Sequence, residues 1–236
     1  MIFTLNLLNK YRKLLPLWIL FVVGVLRAQE TFPPPEVPLE IKAQKIQDGS
    51  IDIDGFLNET AWEGAQMISG FTQREPVQSN PASFDTEVRV LFDAKFLYIG
   101  ARCLDSIADR KKLRVRNLQR DFNAFGNDRF GVALDGLLDK RNAVGFEVTP
   151  YGSQREIQVI DGNEFDGNVD WDALWFVRTK VTDSGWTVEM AIPWKTLRYK
   201  ADTDRMYISF NRNVRRFNEI TTWPSFPRAF SHFRMA

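Results

Sequence analysis

Trp171 to Lys200 reads WDALWFVRTKVTDSGWTVEMAIPWKTLRYK, and its alternation sets the fold class. Leu174, Phe176 and Arg178 alternate with Trp175, Val177 and Thr179, as in a strand with one apolar face. Asp183-Ser184-Gly185 supplies turn chemistry, with a glycine free to adopt positive φ. The returning segment places Trp186, Val188, Met190 and Ile192 on one face and Thr187, Glu189 and Ala191 on the other. Pro193 has no N–H to donate, so the strand is expected to end there, with Trp194 to Leu197 turning over the sheet end. A hairpin with one apolar face needs a second layer to cover it.

Similar segments flank this hairpin. Thr86–Asp93 and Phe96–Arg102 form a hairpin around Asp93-Ala94-Lys95. Asp128–Asp135 pairs back with Ala143–Thr149 across Asp139-Lys140-Arg141-Asn142, and Gln154–Ile160 follows the Pro150-Tyr151-Gly152 break. Met206–Val214 and Ile220–Trp223 are the last strands. Ile51–Gly55 reads as a short strand, Ala61, Trp62 and Ala65 as a helical turn capped by Asn58 or Thr60, and Gly70–Ser83 as a loop. Eight to ten short strands with turn residues between them predict an all-β antiparallel sandwich.

The 236 residues carry 31 Lys+Arg against 30 Asp+Glu, which gives no electrostatic case for a nucleic-acid partner. The basic run Lys111, Lys112, Arg114, Arg116 and Arg120 is open to two readings, a polyanion site or a solvated face. Cys103 is the only cysteine and alternates with Ala101, which implies a buried thiol and no disulfide framework. His232 is the only histidine, which excludes a His-rich metal site. Lys10, Arg12 and Lys13 precede the short apolar run Leu14–Leu26. Residues 1–28 are therefore expected to be a secretory signal peptide cleaved near Ala28, with 29–40 a proline-rich linker and 41–236 the folded domain. No cysteine follows the apolar run to carry a lipid anchor. Export to the periplasm, outer membrane or cell exterior follows from this reading.

The loop from Asp161 to Asp172 (DGNEFDGNVDWD) holds oxygen donors of the kind calcium prefers, with Asp161, Asn163 and Asp166 as candidate ligands. It lacks EF-hand spacing and a final Glu, so a calcium loop and a turn-rich loop both stay open. Asp52 and Asp54 read as turn carboxylates. Asp128, Asp135, Glu147, Glu156 and Glu189 are the carboxylates a glycosidase would draw on. None sits in a recognisable motif, and each is expected to face solvent from a strand; no catalytic residue is assigned.

Five stretches together resemble a known family. They are Ile53-Asp54-Gly55 with Trp62, VRVLFDAKFLYIGARCLD from Val88, RDFNAFGNDRFGVALDGLLDKRNAVGFEVTPYG from Arg120, the opening stretch, and ISFNRNVRRFNEITTWPSFPR from Ile208. In order and spacing they are similar to the N-terminal domain of Gram-negative envelope proteins of unknown function, itself similar to family-9 carbohydrate-binding modules. The resemblance implies a jelly-roll β-sandwich that binds a polysaccharide or oligosaccharide without catalysis. Longer relatives often continue into an outer-membrane barrel, so the chain is expected to be a C-terminally truncated piece. The modules hold a glucan end between two aromatic rings, helped by charged and amide groups. By motif, the first ring falls on Phe125 and the second within Phe226 to Phe230, with Trp223 the better nearby stacking surface. The module's ligand carboxylate falls on Gly131 and its arginine on Glu147, both departures. The resemblance thus nominates Phe125, Trp223, Phe226, Phe230 and Glu147 as carbohydrate-binding residues. A docking domain of an outer-membrane assembly is the competing expectation.

Overall fold

A computed structural model describes residues 39–106, 112–161 and 167–228. Twelve strands form two sheets among these residues. The first sheet has the order β1 (Gln44–Lys45), β4 (Thr86–Phe92), β5 (Phe96–Leu104), β10 (Gly185–Pro193), β9 (Phe176–Thr182), with β2 (Met67–Ile68) also on β4. The second has the order β3 (Thr72–Glu75), β12 (Glu219–Trp223), β11 (Tyr207–Val214), β6 (Arg129–Asp135), β7 (Ala143–Val148), β8 (Gln154–Val159). All pairings except β1 with β4 are antiparallel.

The opening hairpin forms as its alternation dictates. Trp186, Val188, Met190 and Ile192 of β10 are buried, as are Trp175 and Val177 on its partner segment. They pack with Val88, Val90, Ile99 and Ala101 of the first sheet against Phe130, Val132, Phe146, Phe210 and Trp223 of the second. The strand ends at Pro193, and a 3₁₀ turn covers Trp194–Thr196. Gly185 is needed for more than the turn: a Cβ there would overlap the Cys103 carbonyl of β5. Cys103 is buried, and burial first of all pushes its thiol up to about 12, so it stays protonated.

The other face of the first sheet is also covered. Ile51, Leu57, Trp62 and Ala65 lie on Leu91, Tyr98 and Ala191. Ile51–Gly55 forms no strand, because its alternating isoleucines pack onto the sheet without pairing. The helix α1 (Thr60–Gly64) presents Trp62, and Glu59 stands at its N-cap without a capping bond, accepting instead from the Asp52 N–H at 3.1 Å. Gly100 makes room for this cover: a Cβ there would stand 2.7 Å from Leu57 Cδ2 and 2.8 Å from Trp62 Cζ3. Glu189 fastens it. Its carboxylate accepts from the Asp54 N–H at 3.0 Å, the Gly55 N–H at 2.7 Å and the Trp62 indole N–H at 3.2 Å.

At one end of the sandwich, buried Arg212 of β11 crosses between the sheets. It donates to the Asp85 carbonyl at 3.1 Å, Thr86 Oγ1 at 3.2 Å and the Leu104 carbonyl at 2.7 Å. Arg216 beside it grips Asp105 with both guanidinium nitrogens. The segment read as a loop from Gly70 to Ser83 contains β3, an edge strand that its polar sequence TQRE conceals.

The five carboxylates expected to face solvent are all buried. Asp135 accepts three main-chain N–H groups of its own turn, from Leu137, Leu138 and Lys140. Asp128 accepts from the Arg114 and Arg215 N–H groups, and Glu156 from the Trp175 indole at 2.8 Å and from Arg120. A buried carboxylate requires such donors. Apart from those of Asp135, their partners are distant in sequence, which is why alternation alone does not reveal them.

Two outcomes are expected. Gly100→Val, measured by urea denaturation, should lose about 1–3 kcal/mol of stability, because Trp62 and Leu57 cannot both stay seated. Burial, aided by Glu59 nearby, pushes Glu189 up to about 7 from an ordinary 4.5. The folded state then holds its proton more tightly than the unfolded chain, so this group's contribution falls as pH rises between about 4.5 and 7. Glu189→Gln should flatten the pH dependence of the denaturation midpoint across that window.

Candidate carbohydrate-binding site

The outer face of the second sheet carries one polar row across all six strands. Cross-strand register lines up Thr72, Thr222, Asn211, Gly131, Glu147 and Arg155, from β3 to β8. Gly131 is the gap in the row: a Cβ there would stand 2.9 Å from Asn211 Nδ2 and 3.0 Å from Glu147 Cγ. Arg129, two residues before it, donates to Asn211 and pairs with Glu147 Oε1 at 2.8 Å. Arg155 pairs with Glu147 Oε2 at 2.5 Å. Gly131 and Glu147, where the resemblance expects a carboxylate and an arginine, are direct cross-strand partners. Charge is therefore redistributed within one ladder: the carboxylate sits on β7, and the guanidinium groups come from positions 129 and 155.

A rigid turn stands at the head of this row. Asn123 accepts from the Phe125 and Gly126 N–H groups at 3.0 and 3.1 Å and caps the 3₁₀ turn Ala124–Gly126. Asn127 Nδ2 donates to the Asn123 carbonyl at 2.7 Å, and Arg129 Nε to the Ala124 carbonyl at 2.9 Å. Asn213 Nδ2 of β11 donates to the Asn127 carbonyl at 2.9 Å. The turn is thereby fixed to two strands, and it holds Phe125 outward with 62% of its surface exposed. An apolar ring held in water by a satisfied main chain is a ready stacking platform. Beyond it, Asp121, Arg155, Val169, Asp170 and Asp172 line a cleft of about 380 Å³ beside β8.

The nominated residues do not converge. Phe125 is at the rim. Trp223 is only 7% exposed, because its position on β12 pairs with Phe210 and turns the indole into the core, where the ring centroids lie 6.1 Å apart. Phe226 is buried as well, and Phe230 lies outside the described residues. Glu147 is 1% exposed, and its oxygens are engaged by Arg129 and Arg155, so as placed it organises the floor. Asp161 pairs with Arg141 at 2.7 Å, while Asn163 and Asp166 lie outside the described residues. Among the described residues no group of three His, Cys, Asp or Glu side chains is gathered as for a metal ion. Sequence reasoning missed Arg129, Arg155 and Asn211. Their strand parity puts them on the outer face, but only the register puts them in one row.

The family described as Carbohydrate family 9 binding domain-like matches residues 53–220. The chain belongs to this family. Its fold is that of solved members: a family 9 module from Caldicellulosiruptor kristjanssonii in complex with cellotriose has a TM-score of 0.55 at 16% identity, over 82% of this chain and 88% of that one. The same organism's module in complex with glucose scores 0.54 at 16% identity, over 82% and 91%. A Bacteroides uniformis protein described as a candidate carbohydrate-binding protein scores 0.62 at 9% identity, over 80% and 92%. No curated protein matches the chain.

Removing Glu147 would leave Arg129 and Arg155 side by side without its charge. Glu147→Ala is expected to cost about 3–5 kcal/mol, read as a lowered denaturation midpoint.

Proposed function

We propose that the domain binds a carbohydrate non-catalytically, with Phe125 as the stacking surface at the head of the polar row. The observation that carries this reading is the exposure of Phe125 on a turn whose N–H groups at 125 and 126 are both bonded to Asn123. A sugar ring placed on such a face excludes water at little entropic cost, while nearby polar groups set its orientation. Family membership supports the class of ligand, and the relatives solved with cellotriose and glucose fit it. The buried and paired state of Asp128, Asp135, Glu147, Glu156 and Glu189 supports binding over glycosidic hydrolysis, which needs two accessible carboxylates astride one bond. The sequence of residues 10–28 supports export, which would set the domain in envelope polysaccharide capture or uptake. Burial of Trp223 and Phe226 favours the second reading, a docking domain of an outer-membrane assembly, because neither of these rings is free to serve as the second sugar platform.

Native affinity electrophoresis against soluble glucans, xylans and pectins separates the two. Binding predicts retardation by at least one of them, with Phe125→Ala losing roughly tenfold in affinity, given about 1–3 kcal/mol per stacked ring. The melting temperature should not move, since the ring is outside the core. Absence of retardation across the panel would leave the docking reading.

A further inference from the structure

The segment that carries Phe125 runs across the end of the second sheet. Toward β8 it carries Asp121, on the cleft shared with Arg155, Asp170 and Asp172, and Arg120, which pairs with Glu156 and Asp172. Toward β11 it carries Arg114 and Arg116, both exposed. Their main-chain N–H groups are bonded inward, Arg114 to Asp128 Oδ2 at 2.7 Å and Arg116 to Asn127 Oδ1 at 2.7 Å. The Arg215 N–H binds the other oxygen of Asp128 at 2.6 Å, so Arg215 stands at the same corner.

Two further arginines lie beneath this corner. Inside it, Arg212 and Arg216 face Asp105 and Asp128. Glu219, the next carboxylate, is turned away and accepts from the Ser83 N–H and hydroxyl. Arg114, Arg116 and Arg215 are left over, and among the described residues none has a carboxylate within 4.0 Å. Nine other arginines of the domain do have one: 89, 120, 129, 141, 155, 205, 212, 216 and 228. Arg102, Arg178 and Arg198 also have none, but the first two stand on the first sheet and Arg198 beside Gly136, at the far end of β6.

One of these cations touches the Phe125 turn. The Arg116 side chain lies across Gly126, where an added Cβ would meet its Nε at 3.3 Å and its Cδ at 3.4 Å. Gly126 thus leaves the space in which a guanidinium flanks the residue next to the exposed ring. A pyranose stacked on Phe125 would present its ring substituents to this flank. A neutral hydroxymethyl group would leave the cations without a counter-charge. A carboxylate there would take a planar, charge-assisted pair with the guanidinium.

From this juxtaposition we infer that the ligand of the Phe125 platform is an acidic sugar of the uronic-acid type, its carboxylate directed to Arg116 and Arg114. The inference rests on the carbohydrate-binding reading and adds its substrate class.

Native affinity gels containing polygalacturonate, methyl-esterified pectin, a neutral glucan or polyglutamate test this. The two pectins share a backbone and differ in free carboxylate. The expected result is stronger retardation by polygalacturonate than by the esterified form, weakened by salt, and none by polyglutamate. The double variant Arg114→Gln, Arg116→Gln keeps the main-chain bonds that hold the turn. It should lose roughly three- to tenfold in affinity for polygalacturonate, as expected for exposed charge pairs, and erase the difference between the pectins. Phe125→Ala should weaken retardation by both, roughly tenfold in affinity. Equal retardation by the two pectins, or retardation by neutral glucan alone, would overturn the acidic-sugar inference and leave carbohydrate binding standing. Retardation by polyglutamate as strong as by polygalacturonate, or indifference of the latter to Phe125→Ala, would reduce the corner to a general polyanion surface and also overturn it. No retardation by any glycan would remove both readings.

Discussion

The fold depends on covering both faces of β10. Its inward face, Trp186, Val188, Met190 and Ile192, demands the second sheet, and these four buried side chains belong to the apolar contact between the layers. Its outward face is not free either. Glu189 is fully buried there, and a carboxylate removed from water must find donors; it finds them in the main chain at 54 and 55 and the indole of Trp62. The same strand therefore fixes the sandwich on one side and the N-terminal cover on the other. β5 beside it obeys the same rule, with Ile99 and Ala101 inward and Gly100 yielding outward to Trp62.

Alternation made the sandwich legible in the sequence. Each strand with a period-two apolar face was recoverable from its own residues, and so was the stop at Pro193. What the period could not convey was the identity of the second face. Ile51 and Ile53 look like a strand because they alternate, yet they alternate to pack on a sheet. TQRE at 72–75 looks like a loop because an edge strand over a polar row needs no apolar face. Glu147, Glu156 and Glu189 look like solvent-facing carboxylates because their partners lie 8 to 135 residues away.

The site was legible in part for the same reason. Phe125 could be named from its motif, since the Asn-rich turn that holds it is local: Asn123 and Asn127 bond within five residues. Trp223 could not be oriented, because its direction follows from pairing with Phe210 across two strands. The polar row is less local still. Six residues from 72 to 222 meet in one line only after every register in the sheet is set. By contrast, the alternation of Leu113 and Val115 with Lys112, Arg114 and Arg116 was visible, but a basic run says nothing about the aromatic neighbour that Gly126 allows it to flank.

The clasp at Glu189 reads main-chain atoms at 54 and 55, not side chains. Nearly every amino acid offers the same N–H, so the clasp itself excludes only proline at position 54, while the Asp54 carboxylate is held to a separate task in its own turn, accepting from the Phe56 N–H at 2.8 Å. The burden of keeping the N-terminal cover seated falls on the acceptor and on the indole that meets it. An acid at 54 thus answers to the local turn, while the acid at 189 answers to the seating of the whole N-terminal cover.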